Sequence, residues 1–335
     1  MKKAKIFALA AVLLLTACAD NTPHQISFFS MDTYMEITAY GSQGEAAINS
    51  CKDKIFLLEA LLSATDETSD IGRINASGVT DVSPDTAEII EYAIQIGRET
   101  EGALDITVYP VLKAWGFTTE EYKIPDSETL NALLQRVDFT RIQIEGSAIP
   151  TVTVPEGVQL DLGALAKGYA SDKAAEILRE KGIEHALINL GGNIMTIGGN
   201  PNGSPWKIGI RNPFSLDENI GVLEVADKAV VTSGSYERFF IAEDGNTYHH
   251  IVDPATGCPA ESGLVSVTVI GDSGIMCDAL STALFVMGAE KAAEYHREKG
   301  GFDMILVTEE GEILITDGID HSFSSSGEFP LTVIQ

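Results

Sequence analysis

The sequence predicts a body of mixed helices and strands, without a doubly wound nucleotide-binding topology. Three observations predict it. Short runs bounded by turn residues read as hairpins: Ile142 to Ile144 with Thr151 to Val154, and the strand before Gly245-Asn246 with Tyr248 to Val252. Capped segments of helical period lie between them, such as Pro84 to Thr100 behind Ser83. The glycine turns Gly191-Gly192-Asn193 and Gly198-Gly199-Asn200 carry no Gly-x-Gly-x-x-Gly fingerprint with a following ribose acid, so a Rossmann fold is not expected.

The chain opens on a leader. Lys2, Lys3 and Lys5 precede an apolar run from Ile6 to Leu15, too short to cross a bilayer, and Leu15-Thr16-Ala17-Cys18 follows. This order predicts a secretory signal peptide. Its last four residues resemble a bacterial lipobox, with cleavage before Cys18 and lipidation of that cysteine. The expected organisation is residues 1–17 removed, 18–25 a lipidated tether, and 26–335 a single domain of two interlocked lobes. Membrane contact is then expected through the lipid alone, on the extracytoplasmic face. The formal net charge of −27 grows more negative once the leader lysines leave. That argues against a nucleic-acid partner and against lying flat on an anionic membrane. An anionic ligand would need local devices: helix N-termini, backbone amides, a metal or a few chosen cations. Cys51, Cys258 and Cys277 show neither zinc spacing nor a disulfide framework. Cys277 is expected in a core and Cys258 half-exposed.

The elements follow in order. Ile26 to Tyr40 alternates as a strand interrupted at Met31-Asp32-Thr33. Ala47, Ile48, Ile55, Leu58, Leu61 and Leu62 place an amphipathic helix over Glu45 to Leu62. Residues 62–75 read as a long polar loop of the kind uncommon without a function, with a plain connection as the alternative. Gly102 to Val108 reads as a short strand containing Asp105, and Trp115-Gly116-Phe117 as core. Ser127 to Val137 reads as a helix capped by Ser127 or Asp126. A helix running to about Lys181 starts within Gln159 to Tyr169. Strands are expected at Ala186–Leu190, Ile194–Ile197, Trp206–Ile210, Val222–Val225, Ala229–Thr232 and Val265–Ile270. Asp272-Ser273 caps a helix over about Ile275 to Met287, then Ala289 to Gly300, Met304–Val307 and Glu312–Thr316 close the chain.

Three stretches carry chemistry. Tyr248 to Val252 brings His249 and His250 to a strand end before the Asp253-Pro254 and Thr256-Gly257 turn. Alternation lets only one of the two face a given side. A ligand-facing histidine and a solvated hairpin pair fit equally on this stretch alone. Asp161, Gly163, Lys167 and Gly168 cluster at a helix start, where free N–H groups and the dipole suit phosphate. It is not a Walker A loop, and Asp161 could also cap the turn. Asp278 and Thr282 stand four apart on one helical face. Their hard oxygens suit Mg²⁺, while an intrahelical hydrogen bond is the commoner use of such a pair.

These stretches stand in one order with Met31-Asp32-Thr33, Ser69 to Asn75, Leu104 to Val108, Gly191-Gly192-Asn193, Ser233 to Arg238 and His250 to Gly257. Together they resemble the ApbE family of FAD:protein FMN transferases, from about Ser27 to the end. The resemblance implies an α+β, T-fold-like architecture of mostly antiparallel sheets with packed helices. It implies Mg²⁺-dependent transfer of FMN from FAD to a Thr hydroxyl of an acceptor flavoprotein, such as a subunit of a membrane redox complex, with AMP leaving. Carried over, Met31, Thr65, Ala103, Leu104, Asp105, Asp161, Lys167, His250 and Ile251 would contact FAD. The Ala164 carbonyl, Asp278 and Thr282 would hold Mg²⁺, and His250, Lys167 and Asp278 would be catalytic. Two positions depart: the family often has Met-Gly-Thr at 31–33, and often an aromatic residue where Thr65, which cannot stack, stands. As a base, a free neutral imidazole at His250 predicts falling activity below about pH 6.5, and His249 should be dispensable. FAD hydrolysis to FMN and AMP would use the same metal site, whereas in a lipid-tethered flavin-binding or carrier protein Asp278 and Thr282 would be structural.

Overall fold

The computed structural model describes residues 21–335 except positions 120 and 244. Cys18 and the leader therefore lie outside the described residues. β1 (Pro23–Ser30) and β2 (Thr33–Tyr40) form a hairpin, not one interrupted strand, and β1 starts inside the stretch expected as tether. Met31 and Asp32 form its two-residue turn with φ of 49° and 57°. Both central residues at positive φ is the turn that matches strand twist. α1 (Gly44–Leu62) follows, burying Ile48, Cys51, Ile55 and Leu58. The expected loop instead contains α2 (Asp70–Ser77), because Ser69 accepts the Gly72 N–H and nucleates a helix. β3 (Val79–Asp81) leads to α3 (Pro84–Glu99), capped by Ser83 as expected.

The stretch Gly102 to Val108 is not a strand. It is a series of turns, since Asp105 accepts hydrogen bonds from Thr107 N, Thr107 Oγ1 and Phe139 N at 2.8, 2.6 and 3.1 Å. α4 (Tyr109–Trp115) ends in buried Trp115, and α5 (Ser127–Leu134) is capped by Asp126. β4 (Gln143–Glu145) and β5 (Thr151–Thr153) pair as the expected hairpin, with β3 on the far side of β5. α6 (Ala166–Glu180), β6 (Ala186–Leu190), β7 (Asn193–Ile197), β8 (Trp206–Arg211), β9 (Asn219–Val225) and β10 (Ala229–Gly234) fall where the sequence puts them.

β11 (Phe239–Ile241) pairs with β12 (Thr247–His249), which stops one residue short of His250. β13 (Leu264–Gly271) runs into α7 (Gly274–Lys299), capped by Ser273 and broken at Gly288. β14 (Phe302–Thr308), β15 (Ile313–Thr316), β16 (Phe323–Ser325) and β17 (Leu331–Ile334) complete the chain.

Nine strands make the central sheet in the order β1-β2-β6-β7-β10-β13-β14-β15-β17, antiparallel except for β15 with β17. The architecture is α+β, with mainly antiparallel sheets. Alternation gives the sheet two buried faces. Met35, Ile37, Ile188, Val267, Val269 and Met304 pack under the helices. Val230, Ile270, Ile305 and Val307 pack under a second sheet of order β16-β9-β8. No described helix is long and apolar enough to cross a membrane.

Candidate active site

A cavity of about 610 Å³ opens between the turn at Met31, the loop at Ala103–Asp105, the start of α6, the end of β10, the His250 segment and α7. It collects Met31, Ala103, Leu104, Asp105, Asp161, Ala164, Lys167, His250, Ile251, Asp278 and Thr282. Thr65 is the exception: it is exposed, bonds locally to Ser63, and does not line the cavity. Asp105 lines it, but its carboxylate is committed to Thr107 and Phe139, so this side chain shapes the loop and has little left for a ligand.

The α6 start differs from the expected phosphate cradle. The Gly168 N–H donates to Asp278 Oδ2 at 2.8 Å, and Asp161 Oδ1 accepts the Gly163 N–H at 2.9 Å. The helix end thus supports a carboxylate of the chain itself. The contact is possible because α6 and α7 touch at glycine: a Cβ on Gly168 would stand 2.3 Å from the Gly274 carbonyl oxygen. Asp172 fixes the same junction from α6. Its carboxylate accepts from Ser273 Oγ, Gly274 N and Ile275 N at 2.9, 2.6 and 3.0 Å, satisfying orphan donors at the start of α7.

Asp278 is almost fully buried, and desolvation pushes its carboxyl up to about 6 against the pull of Lys167 and Gly168. Asp278 and Thr282 make no hydrogen bond to each other; Thr282 Oγ1 lies 3.2 Å from Ser233 Oγ. Asn193, 2% exposed, also lines the cavity. Its amide is near enough to lower the Asp278 pKa somewhat, yet neither polar atom has a partner in hydrogen-bond geometry. A buried amide left unsatisfied is costly, so this corner is built for a polar occupant. Asp278 and Thr282 bring hard oxygens to the cavity, which Ala164 also lines, and such oxygens are the chemistry Mg²⁺ takes. They include one carboxylate, and among the described residues no three His, Cys, Asp or Glu cluster to hold a metal.

His250 stands just past the end of β12. Its Nδ1 lies 3.1 Å from the Arg238 carbonyl, which can only accept. The proton is therefore on Nδ1, and Nε2 keeps its lone pair. Desolvation is the main reason that its pKa falls to about 4, with Arg238, His249 and Lys167 adding to the effect. The expected loss of activity near pH 6.5 is thereby corrected downward. His249 faces away, its Nε2 against the Ala260 carbonyl at 3.3 Å and its ring edge-on to Phe285. The following turn is held by Asp253 Oδ1, which accepts the Ala255 N–H, and by Trp115, whose indole N–H donates to the Gly257 carbonyl at 2.7 Å. Glu59 plays the same part at Met31, accepting from Met31 N and Ser30 Oγ.

Sequence reasoning missed Asn193, Arg211, Glu237 and Arg238 as site residues, although three of them sit in stretches it singled out. Lys167, Arg211 and Arg238 line the cavity without an ion pair among the described residues. Glu237 is exposed to the cavity, yet the surrounding protein desolvates it enough to raise its pKa, while the three cations pull the other way.

The family model described as the ApbE family matches residues 31–306. A protein of Vibrio cholerae named FAD:protein FMN transferase is 35% identical over 85% of this chain and 88% of its own. One of the same name from Treponema pallidum is 33% identical over 86% and 85%. The crystal structure of the ApbE protein from Thermotoga maritima superposes with a TM-score of 0.84 at 31% identity, covering 90% of this chain and 99% of that one.

Proposed function

The chain belongs to the ApbE family, and from that premise we propose that it moves FMN from FAD to a Thr hydroxyl of an acceptor flavoprotein and releases AMP. One observation carries the reading. In a chain of net charge −27, three cations without ion-pair partners among the described residues converge on a cavity that also holds a histidine whose Nε2 has none there either. Unpaired cations in such a chain call for an anion, and the lone pair calls for a proton to remove.

The acceptor oxygen attacks the phosphorus on the FMN side, and the bond from that phosphorus to the bridging oxygen breaks. The bridging oxygen leaves with AMP. His250 Nε2 takes the hydroxyl proton. Lys167, Arg211 and Arg238 offset the charge that builds on the departing phosphate; positioning and charge are most of what phosphoryl transfer needs. The Ala164 carbonyl, Asp278 and Thr282 would hold Mg²⁺, which when bound neutralises pyrophosphate charge. The orphaned Asn193 amide beside Asp278 supports a polar occupant in that corner. Lipidation at Cys18 would place this activity on the extracytoplasmic face of the membrane.

The test is incubation with FAD and Mg²⁺, with and without acceptor, followed by assay of AMP and protein-bound flavin. AMP that appears only with acceptor, matched by bound FMN, is the expected result. AMP without acceptor makes the chain a pyrophosphatase, and no AMP at all sinks the enzymatic reading.

A further inference from the structure

A second cavity, of about 330 Å³, lies where β8 passes the ends of β6, β7 and β10. It shares Gly191, Arg211, Thr232, Tyr236 and Glu237 with the reaction cavity, so the two are continuous. Building on the transfer reading, we propose that this second cavity receives an extended segment of the acceptor polypeptide, laid along β8 and delivering its hydroxyl past Arg211.

The walls carry the argument. Lys207, Ile208, Gly209, Ile210 and Arg211 all line the cavity. Successive side chains of a strand point to opposite faces, so a consecutive run lines one cavity only where the strand presents its edge. Among the described residues β8 pairs with β9 alone, which leaves this edge without a strand partner there. An unpaired edge is a template for an added strand, a common mode of peptide recognition. Gly191 and Gly192 also line this cavity, and a Cβ at Gly192 would meet nothing within 4 Å. A slot walled by a strand edge and glycine admits a polypeptide backbone.

The neighbouring sheet opens the way inward. β10 pairs with β7 only at Ala229 and Val230. Beyond that point Val231, Thr232 and Ser233 line the reaction cavity. The segment would thus run from the β8 edge to the corner where Ser233 meets Thr282.

Ile194 lines the second cavity and not the first, and it is half-buried. Ile194→Trp should fill the slot, with Ile194→Val as the control for lost packing. The assay uses the full chain, FAD, and an acceptor protein that the Vibrio cholerae relative labels. For Ile194→Trp, KM for the acceptor should rise roughly tenfold or more, the loss of one well-packed contact. FAD affinity by flavin fluorescence should stay within about twofold, inside the scatter of independent sites, and Ile194→Val should behave as wild type. A photoreactive residue placed beside the acceptor threonine should crosslink the wild-type chain within 189–194 or 207–211, a readout independent of how the variant folds. A folded Ile194→Trp with unchanged KM, FAD affinity lost in step, or crosslinks mapping elsewhere each overturn the proposal. A wild-type chain that binds FAD but labels no acceptor overturns the transfer reading, and the subsite with it.

Discussion

His249 and His250 are neighbours in sequence with opposite surroundings. His250 lines the reaction cavity with Nδ1 engaged and Nε2 free, while His249 is wedged between Ala260 and Phe285. His250→Asn should therefore bind FAD almost normally and transfer FMN ~10²–10⁴ times more slowly, the usual cost of a lost general base. Single-turnover flavinylation beside FAD titration decides it; unchanged rates would mean that another group takes the proton. His249→Asn is no longer expected to be silent: it should lower the melting temperature while leaving the transfer rate of the folded protein intact. Because desolvation holds the His250 imidazole near 4, its neutral, base-competent form persists well below pH 6.5. The His250 limb of the pH–rate profile should fall at about pH 4, provided the fold survives there. Asp278 carries the opposite sign. Its carboxyl rises from 3.8 to about 6, so the protonated form is favoured in the fold. That contribution to stability is present below the unfolded value and is lost as pH rises through about 6. At pH 8 in chelator, Asp278→Asn should stabilise the metal-free chain by roughly 1–3 kcal/mol and abolish AMP formation. Calorimetry showing lower stability would mean that the carboxylate is compensated in place.

At the scale of elements, the contact between α6 and α7 decides whether the site exists. Ala164 and Lys167 come from one side, Asp278 and Thr282 from the other, and Gly168 lets the helices meet. Gly168→Ala would drive its Cβ within 2.6 Å of Asp278 Cβ as well as into the Gly274 carbonyl. It should cost about 1–3 kcal/mol, as overpacking does, and lower turnover beyond the loss of folded protein. A melting temperature equal to wild type would show that the helices can part without penalty. The sequence made this junction partly legible. The Ser83, Asp126 and Ser273 caps and the helical face with Asp278 and Thr282 are local signals, and local signals survive folding. α2 was hidden because its polar residues satisfy one another: Ser69 caps it, and Asp70 pairs with Arg73 at 2.6 Å. Gly102 to Val108 has strand-like composition, but the bonds that Asp105 makes to Thr107 and distant Phe139 override it. The Met31 turn was visible only as an interruption. Asp32 stands in the left-handed region, which glycine adopts freely and Asp tolerates at a cost. Arg211 and Arg238 come to the cavity from separate strand ends, which no spacing along the chain announces.

At the scale of the whole molecule, the sheet is buried on both faces and the exposed body is acidic, so charge and fold divide the labour. The interior is closed by Ile, Val and Leu on alternating faces of the central sheet, and Lys167, Arg211 and Arg238 stand at the reaction cavity. An acidic body gains nothing from an anionic bilayer, and no described helix crosses one. The sequence-based expectation of membrane residence rests on the segment before β1. Lys2, Lys3 and Lys5, the apolar run to Leu15, and Leu15-Thr16-Ala17-Cys18 supply such a segment. A single acyl chain binds a bilayer only marginally and reversibly, whereas two or more chains hold it firmly. Cys18 is the attachment point that the sequence leads one to expect. Cys18→Ala should stop incorporation of a radioactive fatty acid and move the chain out of the membrane fraction. Transfer activity of the folded body, assayed on a soluble acceptor, should be unchanged, because the cavity lies entirely within residues 31–282. Equal fatty-acid labelling of the variant and wild type would refute a lipid at Cys18. A loss of activity on the soluble acceptor would instead tie the leader to the folding of the catalytic body, an outcome that the β1 edge strand starting at Pro23 makes directly measurable by comparing melting temperatures of the two chains.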